Sequence, residues 1–430
     1  MRKQKNNKSI FVSIASYRDP QILSTIIDCI RQAENPKKIF FGICLQDTKD
    51  MFDKLRSLRR KLKLKMKIYH VDWRDSQGAC WARYIIQKKL YRQQEFYLQL
   101  DSHHRFLEQW DSVLKDIYYK KQKEGVKKPI IGGYCPGYHN NSCDSGVIQI
   151  SCMDKFTKDG DLVFKPMVIN KKINQSTVPA RFLSGHFLFC SGLFCKECEY
   201  DPNLYFRGEE ITLSARAYTH GYSFFHPSTE IIWHYYLRTE ENKHWDNHNN
   251  SNGFIIAHSA RDKKAKSRVR KLLGSESNDL RFANYGLGNE KTLHDYELYA
   301  GLNFKEKLIH SYAYNVRNDS PFAYCMNETE WSDMMVNKLV VVDIDKEVVS
   351  SFNSDLQNII LCVENLKGKL LYRIDIESHQ IPALLKDDLV WRGEIGVEDI
   401  PAKAVVIPVY KGGRFGNRLS NNRVNHYDVK

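Results

Sequence analysis

An acidic residue and two histidines follow an apolar stretch in the segment LQLDSHHRF, Leu98 to Phe106. Side chains two residues apart on an extended chain point to the same side, so Asp101 and His103 can hold one cation. A carboxylate with an imidazole suits Mn²⁺, and a phosphate-bound Mg²⁺ also fits. Such a metal would neutralise the charge that builds up on a leaving diphosphate. The alternative interpretation is an aspartate that caps a turn beside exposed histidines.

Two adjacent carboxylates, Glu209 and Glu210, follow Gly208 in the run FRGEEITLSARA. The spacing of Ile211 and Ala215 predicts that they open a helix. Acidic residues in a first turn complement the helix dipole, which would be a purely structural role. A pair of carboxylates beside a cleft can equally serve catalysis, and both interpretations stay open.

A histidine ends the apolar run IIWHYY. His234 could complete the protein ligands of the same metal. A histidine that is satisfied inside the core is the competing interpretation.

An arginine and an aspartate follow the first apolar run of the chain, in SIASYRDP. Arg18 at the carboxyl end of a strand can pair with a phosphate or stack on a base. Ser16 and Asp19 flank it and belong to the same candidate site.

Small residues and an arginine occur together in RDSQGACWARY. Gly78 and Ala79 would allow a ligand to approach the start of a helix closely. Arg83 could then reach a phosphate. Helix packing is the alternative explanation for the small side chains.

The elements that must position these residues alternate between strand and helix patterns over the first hundred residues. This order predicts a mostly parallel, doubly wound α/β sheet, in which ligands bind at the carboxyl ends of strands. Asp101 and His103 fall at such an end. The predicted strands cover Lys8–Ala15, Ile39–Leu45, Lys67–Val71 and Glu95–Leu100, and the predicted helices cover Gln21–Gln32, Met51–Leu64 and a segment from a capping Ser76 to Leu90.

The remainder of the chain changes character more than once. We expect short strands and turns from Pro129 to Pro166, a loop from Trp245 to Phe254 and a basic helix from Arg261 to Leu273. The last part is rich in β patterns and predicts a small separate domain over residues 321–430. The preceding domain, residues 1–310, would divide into a nucleotide-binding half at about 8–125 and an acceptor half at about 126–310.

The composition excludes several classes of protein. Of the 430 residues, 42% are hydrophobic, which is too many for a disordered chain. The net charge of +14 favours anionic partners, including peripheral association with anionic surfaces, although the basic residues are scattered. We expect no signal peptide and no transmembrane segment. The eleven cysteines are therefore expected to be reduced thiols in a cytoplasmic protein.

Several of these motifs together resemble a known family. In their order along about Ile10 to Phe304, they are similar to the GlcNAc-transferase family classed as glycosyltransferase family 60. The residues that carry the resemblance are SIASYRDP, GACWARY, LQLDSHHRF, FRGEEI, WHYY, RVRKLLG and YGLGNEKTLHDYELYAGLNF. The stretch from Pro321 onward falls outside the resemblance.

The resemblance implies a GT-A fold and a role for each motif. Asp101 and His103 match the DxD-like metal-binding motif, with Asp101 also near the donor, and His234 would be the third ligand. Glu209 and Glu210 match the acidic motif that faces the acceptor and the sugar. Two further groups are assigned more loosely. Ser16, Arg18 and Asp19 would lie near the uridine, and Arg83 would lie near the donor sugar.

The predicted activity is metal-dependent, retaining transfer of GlcNAc from UDP-GlcNAc to an acceptor hydroxyl in α-linkage. The acceptor would be a hydroxyproline, Ser or Thr of a protein, or a surface glycan. One alternative is a transferase for another UDP-sugar such as UDP-GalNAc. A second is a non-catalytic protein that binds carbohydrate or nucleic acid through the basic helix Arg261–Lys271, although no nucleic-acid motif is present and we expect no such partner. A third is a structural protein built on an inactive transferase, which the intact Asp-Ser-His run argues against.

Overall fold

The computed structural model divides into two compact units. The first, the N-terminal unit, contains the described residues up to Ala300 together with Phe304–Glu306. The second, the C-terminal unit, contains Gly301–Asn303 and the described residues from Lys307 onward. The structure describes residues 8–139, 142–146, 148–157, 162–169, 176–236, 243–248, 258–277, 280–310, 313, 328–333, 337–344, 352, 355–378, 380–386, 390–395 and 400–429.

An eight-stranded sheet forms the centre of the N-terminal unit, in the order β11-β13-β6-β12-β4-β1-β2-β3. Its members are β1 (Ile10–Tyr17), β2 (Ile39–Gln46), β3 (Met66–Val71), β4 (Phe96–Leu100), β6 (Pro129–Gly132), β11 (Thr177–Pro179), β12 (Phe187–Ser191) and β13 (Ser223–Pro227). The smaller pairings use β5 (His104–Phe106), β7 (Tyr138–His139), β8 (Ser142–Cys143), β9 (Ile148–Phe156), β10 (Leu162–Ile169) and β14 (Ile232–His234).

The direction of the strands confirms the predicted mixed α/β class with a mostly parallel sheet. β1 runs parallel to β2 and β4, β2 is parallel to β3, and β13 is parallel to β6. Two strands run the other way relative to a neighbour: β12 lies antiparallel between β4 and β6, and β11 pairs antiparallel with β13. Each of the four predicted strands is present within two residues of its expected bounds.

Burial on both faces explains why the central strands read as continuous apolar runs. In β1, every residue from Ile10 to Ile14 is buried, as expected for a parallel strand covered by helices on both sides. On α1, Ile22, Ile26 and Cys29 form a stripe that packs into the same core. The helices are α1 (Ile22–Arg31), α2 (Lys49–Lys61), α3 (Ala79–Ile85), α4 (Trp110–Lys123), α5 (Phe194–Glu197), α6 (Glu209–Thr219), α7 (His244–Asn247), α8 (His258–Leu272) and α9 (Leu293–Ala300).

Two local predictions were wrong. Ser76 does not cap a helix, because α3 begins at Ala79 and its N-cap is Gly78 with a φ of 105°. The Ser76 hydroxyl instead donates to the Gln46 side chain. The predicted loop from Trp245 contains the end of a short helix, α7, and residues 249–257 lie outside the described residues.

The C-terminal unit is built on an antiparallel sheet and confirms the predicted β-rich character. Its strand order is β19-β18-β21-β23-β17-β20, with β22 paired to β21. Val340, Leu361 and Val406 are fully buried in it. The strands are β15 (Leu302–Asn303), β16 (Leu308–Ile309), β17 (Asn337–Asp343), β18 (Leu356–Glu364), β19 (Leu370–Glu377), β20 (Val390–Ile395), β21 (Lys403–Tyr410), β22 (Arg414–Phe415) and β23 (Leu419–Val429), with short helices over Glu328–Asp333 and Ile381–Lys386.

Two further observations concern thiols and membranes. The ten cysteines that fall within the described ranges are free thiols, including Cys195 and Cys198. Among the helices of the described ranges, none combines the length and the apolar character needed to cross a membrane.

Candidate active site

A cleft of about 240 Å³ opens at the carboxyl ends of β1, β2 and β4. The register brings these ends together, since Tyr17 pairs with Gln46 and Ile14 pairs with Leu100. Tyr17, Gln46 and Asp101 all line the cleft. The candidate site therefore lies at the edge of the sheet that the strand pattern predicts.

Asp101, His103 and His234 come together in this cleft. Their ligand atoms all lie within 4.8 Å of one another. The two Nε2 atoms of His103 and His234 are 3.0 Å apart, and Asp101 Oδ2 lies 3.5 Å from His234 Nε2. A carboxylate with two imidazoles is a donor set that fits a divalent cation such as Mn²⁺. The three residues form a candidate metal site.

Strand pairing explains how His234, which is 131 positions after His103, reaches this site. β14 pairs antiparallel with β5, and His234 stands opposite His104. The backbone N–H of His234 donates to the carbonyl of Pro136 at 2.9 Å. On the other side, the Thr25 hydroxyl of α1 donates to the carbonyl of Ser102 at 2.8 Å and fixes the loop after β4.

Asp19 lies behind the candidate metal ligands and is fully buried. Its Oδ2 atom is 2.6 Å from His103 Nδ1 and accepts the hydroxyl of Ser102, also at 2.6 Å. An Nδ1–H that donates to a carboxylate leaves the Nε2 lone pair of His103 available for a metal. Asp19 thus orients a ligand instead of lining the cleft.

Ser16 and Arg18 lie beside the cleft and do not line it. Ser16 is buried, and its carbonyl accepts from Gln46 Nε2 at 3.3 Å. Arg18 Nη1 donates to Asn247 Oδ1 at 3.0 Å, and its guanidinium lies 4.6 Å from the centre of the Trp73 ring. Arg18 therefore connects the turn after β1 to α7.

Arg83 joins the candidate metal site to the acidic pair. Its Nη2 lies 2.8 Å from Asp101 Oδ1, and its Nε lies 3.1 Å from Glu209 Oε1. The Arg83 side chain is only 3% exposed, so these interactions are shielded from water. Burial acts to lower the pKa of Arg83, but the nearby carboxylates outweigh it and raise the pKa, which keeps the guanidinium charged.

The charge of Asp101 is maintained by its neighbours. Burial by itself would raise the pKa of this carboxyl. The hydrogen bond to His234 and the charge of Arg83 act against burial, and the pKa is held well below its usual range. Asp101 is therefore a carboxylate, as a metal ligand must be.

Glu209 and Glu210 open α6, as predicted, and Gly208 precedes them with a φ of 85°. Glu209 is 6% exposed and accepts from the Tyr200 hydroxyl at 2.7 Å. Together with the Arg83 contact, this fixes the position of its carboxylate.

Glu210 lies in a second cavity of about 370 Å³ that adjoins the cleft and shares Arg83 and Asp101 with it. Its Oε1 accepts from the Gly185 N–H at 2.9 Å and from the Ser184 hydroxyl at 3.0 Å. Burial and the charge of Glu209 raise the pKa of Glu210 to about 7, against these two hydrogen bonds. Glu210 can therefore exchange a proton near neutral pH.

The sequence reasoning missed Ser184 and His186, which hold Glu210 in place. The Cys135 N–H donates to His186 Nε2 at 3.2 Å, so the proton of the neutral ring is on Nδ1. That Nδ1–H points at the Ser184 hydroxyl, 2.7 Å away, and Ser184 in turn donates to Glu210. The short polar run SGH before β12 was the available signal.

His104 was also named in the sequence motif, but the structure gives it a structural role. The Asp101 N–H donates to His104 Nε2 at 3.3 Å, which leaves Nδ1–H to donate to the Trp233 carbonyl at 3.0 Å. Burial and the nearby imidazoles lower its pKa well below the usual value. His104 is thus a neutral residue that joins the β4 loop to β14.

Aromatic side chains also line the cleft. The rings of Phe206 and Trp245 are 5.3 Å apart and remain 49% and 37% exposed. The ring centres of Tyr17 and His244 are 4.8 Å apart, and the two ring planes are tilted by 51°. Exposed aromatic faces of this kind can pack against a base or a sugar ring.

Comparisons with known proteins identify the family of the chain. A family model described as "Glycosyltransferase (GlcNAc)" matches residues 9–55 and 47–306 of the chain. No curated protein matches the sequence.

Similar solved structures are remote. GalNAc-T7 with UDP, GalNAc and Mn²⁺ is 13% identical with a TM-score of 0.47, and the match covers 67% of this chain and 54% of that one. S. aureus TarS 1–349 in complex with UDP-GlcNAc is 14% identical with a TM-score of 0.37, over 64% and 69% of the two chains. The Pyrobaculum calidifontis mannosyltransferase PcManGT with GDP-Man and Mn²⁺ is 10% identical with a TM-score of 0.34, over 61% and 70%. This chain spans about half the length of the GalNAc-T7 chain.

Proposed function

Because the chain belongs to the glycosyltransferase (GlcNAc) family, we propose that it transfers GlcNAc from UDP-GlcNAc to an acceptor hydroxyl. We further propose that the reaction is metal-dependent and retaining, and that it gives an α-linkage. The observation that carries the proposal is the convergence of Asp101, His103 and His234 at the carboxyl ends of the parallel strands, inside a cleft.

Asp101, His103 and His234 would hold the metal, Mn²⁺ or Mg²⁺. When bound, the metal supplies positive charge to the departing diphosphate. Asp19 keeps His103 in the tautomer that can bind it, through the 2.6 Å contact to Nδ1.

Arg83 and the acidic pair would act on the sugar side of the cleft. Arg83 is held between Asp101 and Glu209 and lines both cavities. Glu209 is fixed by Tyr200 and Arg83 and is suited to orient a sugar hydroxyl. Glu210, with a pKa near 7, is suited to orient the acceptor hydroxyl or to take a proton from it. We assign no covalent nucleophile.

The nucleoside would occupy the aromatic part of the cleft, between Tyr17 and Trp245, where ring faces are exposed. Ser16 and Arg18 would support this region from behind, since Arg18 ties the turn after β1 to α7.

The acceptor would be a hydroxyproline, Ser or Thr of a protein, or a surface glycan. We propose a transferase domain over residues 1–310, with a nucleotide-binding half at about 8–125 and an acceptor half at about 126–310, and a β-rich domain of unassigned role over 321–430. A cytoplasmic location and peripheral association with anionic surfaces belong to the same proposal.

The test is hydrolysis of UDP-GlcNAc with Mn²⁺, followed as release of UDP. Asp101→Ala should lower the metal-dependent rate by at least about 100-fold, because the group that binds the metal loses its only carboxylate. Asp116→Ala is the matched control, since Asp116 is an exposed carboxylate on α4 that lies outside the cleft. Unchanged turnover in Asp101→Ala would remove this residue from the site. A parallel panel of UDP-GalNAc, UDP-glucose and UDP-galactose tests the donor, and a faster rate with any of them would overturn the assignment of GlcNAc.

A further inference from the structure

A third depression, the α8 groove, lies between α8 and the turn that precedes Tyr205. Its volume is about 580 Å³. Its lining includes Asn203, Tyr205, Arg261, Lys264, Arg268 and Leu280. The groove thus combines three cationic side chains with an aromatic and an aliphatic wall.

The helical spacing explains why the cations share one side of α8. Arg261, Lys264 and Arg268 follow one another at intervals of three and four residues, which places them on one face. On the neighbouring face, Ala265 and Val269 are buried and hold the helix against the N-terminal unit.

In the described part of the chain, one of the three cations is paired with a carboxylate. Arg268 forms an ion pair with Asp201. Within the described ranges, Arg261 and Lys264 have no ion-pair partner, and the buried Nε of Arg261 has no hydrogen-bond partner either. The acidic residue of the same helix, Asp262, is paired with Lys266 at 3.2 Å. Among the residues that the structure describes, no acidic side chain therefore balances the charges of Arg261 and Lys264.

The α8 groove adjoins the candidate active site. Tyr205 lines both the groove and the cleft. Val269 of α8 lies directly against Gly208, the residue before Glu209 and Glu210. A molecule long enough to extend past Tyr205 can contact both places at once.

We propose that the α8 groove binds a phosphate or carboxylate group of the acceptor, while the acceptor hydroxyl lies in the active-site cleft. That the anion belongs to the acceptor rests on the proposed transferase function. That the groove binds an anion rests on the groove alone. Charge-assisted hydrogen bonds from Arg261 and Lys264 would supply the recognition. Tyr205 and Leu280 supply apolar surface beside these cations.

Binding is tested on the full chain with EDTA present, so that neither metal nor donor contributes. The probes are fluorescein-labelled hexaglutamate, a hexamer of phosphoserine, neutral hexaglutamine and a single-stranded DNA hexamer, all followed by anisotropy. The variants are Arg261→Ala/Lys264→Ala, Lys264→Glu and Lys263→Ala. Lys263 is the matched control, because it is an exposed lysine of the same helix that does not line the groove.

We expect at least one acidic peptide to bind at least tenfold more tightly than hexaglutamine, and the stronger of the two identifies carboxylate or phosphate. The double variant should lose at least tenfold in affinity and Lys264→Glu a comparable amount, whereas Lys263→Ala should change it less than twofold. Lys264 is exposed, so Lys264→Glu should fold and keeps the test decisive if the double variant does not.

Three results would overturn the inference. They are equal binding of acidic and neutral peptides, an effect of Lys263→Ala as large as that of Lys264→Glu, and binding of the DNA hexamer at least tenfold tighter than either peptide. Because donor hydrolysis plays no part in the measurement, a chain that binds the peptides but releases no UDP contradicts the proposed function and leaves the anion site standing.

Discussion

At the residue scale, two aspartates beside His103 have different tasks. Asp101 faces the cleft, whereas Asp19 is buried behind the imidazole and contacts its Nδ1. Asp19→Asn keeps the shape but removes the charge that fixes the tautomer. We expect the affinity for Mn²⁺ to fall by about 10- to 100-fold, which titration calorimetry would measure.

The control for this change is Asp28→Asn. Asp28 is also a buried carboxylate of the same region, but it accepts from the Phe106 N–H and Arg31 and touches no candidate ligand. Its substitution should leave the affinity for Mn²⁺ within about twofold. Equal losses in both variants would indicate a general effect on folding and would contradict the role given to Asp19.

The raised pKa of Glu210 predicts a pH dependence. Below about 7 the carboxyl is protonated, and above it the group is charged and can accept a proton. The rate of UDP-GlcNAc hydrolysis should therefore rise with pH through about 7. Glu210→Gln should remove this inflection and lower the rate above it by about 100-fold.

Ser184→Ala provides a second measurement on the same group. The Ser184 hydroxyl donates to Glu210 and holds its pKa down. Removing it should move the inflection to higher pH while the affinity for UDP stays the same. An unmoved inflection would show that Ser184 does not act through Glu210.

The sequence predicted which residues meet in the cleft better than which residues position them. Asp101 and His103 could be paired because their spacing on one strand end is local. The roles of Asp19 and Ser184 depend on hydrogen bonds to residues 84 and 26 positions away, which no local pattern contains.

At the element scale, Gly208 sets the start of α6 and hence the position of the acidic pair. Its φ of 85° is left-handed, and an added Cβ would lie 2.4 Å from Val269 Cγ2. Gly208→Ala should cost about 1–2 kcal/mol for the backbone and about 1–3 kcal/mol for the contact, because the branched Val269 has little freedom to move. Thermal unfolding would measure the loss.

The Gly125→Ala variant separates the backbone cost from the cost of the contact with Val269. Gly125 has a similar φ of 93°, but an added Cβ would meet nothing within 4 Å. It should lose only the backbone term, about 1–2 kcal/mol. A loss as large as that of Gly208→Ala would show that the contact with Val269 contributes nothing.

The elements of the first hundred residues were predictable because each has a distinct period and length. The antiparallel insertion of β12 between β4 and β6 was not, since an apolar run such as FLFCS does not encode its direction. Ser76 failed as a cap for a related reason. It has the right residue type, but its hydroxyl is used by Gln46 of a neighbouring strand end.

At the scale of the whole molecule, each compact unit has buried apolar residues of its own, such as Leu98 in the first and Leu361 in the second. Calorimetry should therefore show more than one transition. UDP with Mn²⁺ at about 100 times its Kd should stabilise the N-terminal unit by about 2.7 kcal/mol, because the candidate site lies wholly in that unit. The other transition should not move. A single transition, or an equal shift of both, would contradict this.

The charges around Arg83 make the binding of an anion in the cleft depend on a metal ion. Two carboxylates, those of Asp101 and Glu209, contact the Arg83 guanidinium, and a third, that of Asp19, contacts His103. Such a surplus of negative charge repels any anion until a cation offsets it. Without a divalent cation, the cleft would bind the proposed diphosphate donor weakly. The concentration of divalent ions would therefore control the proposed activity.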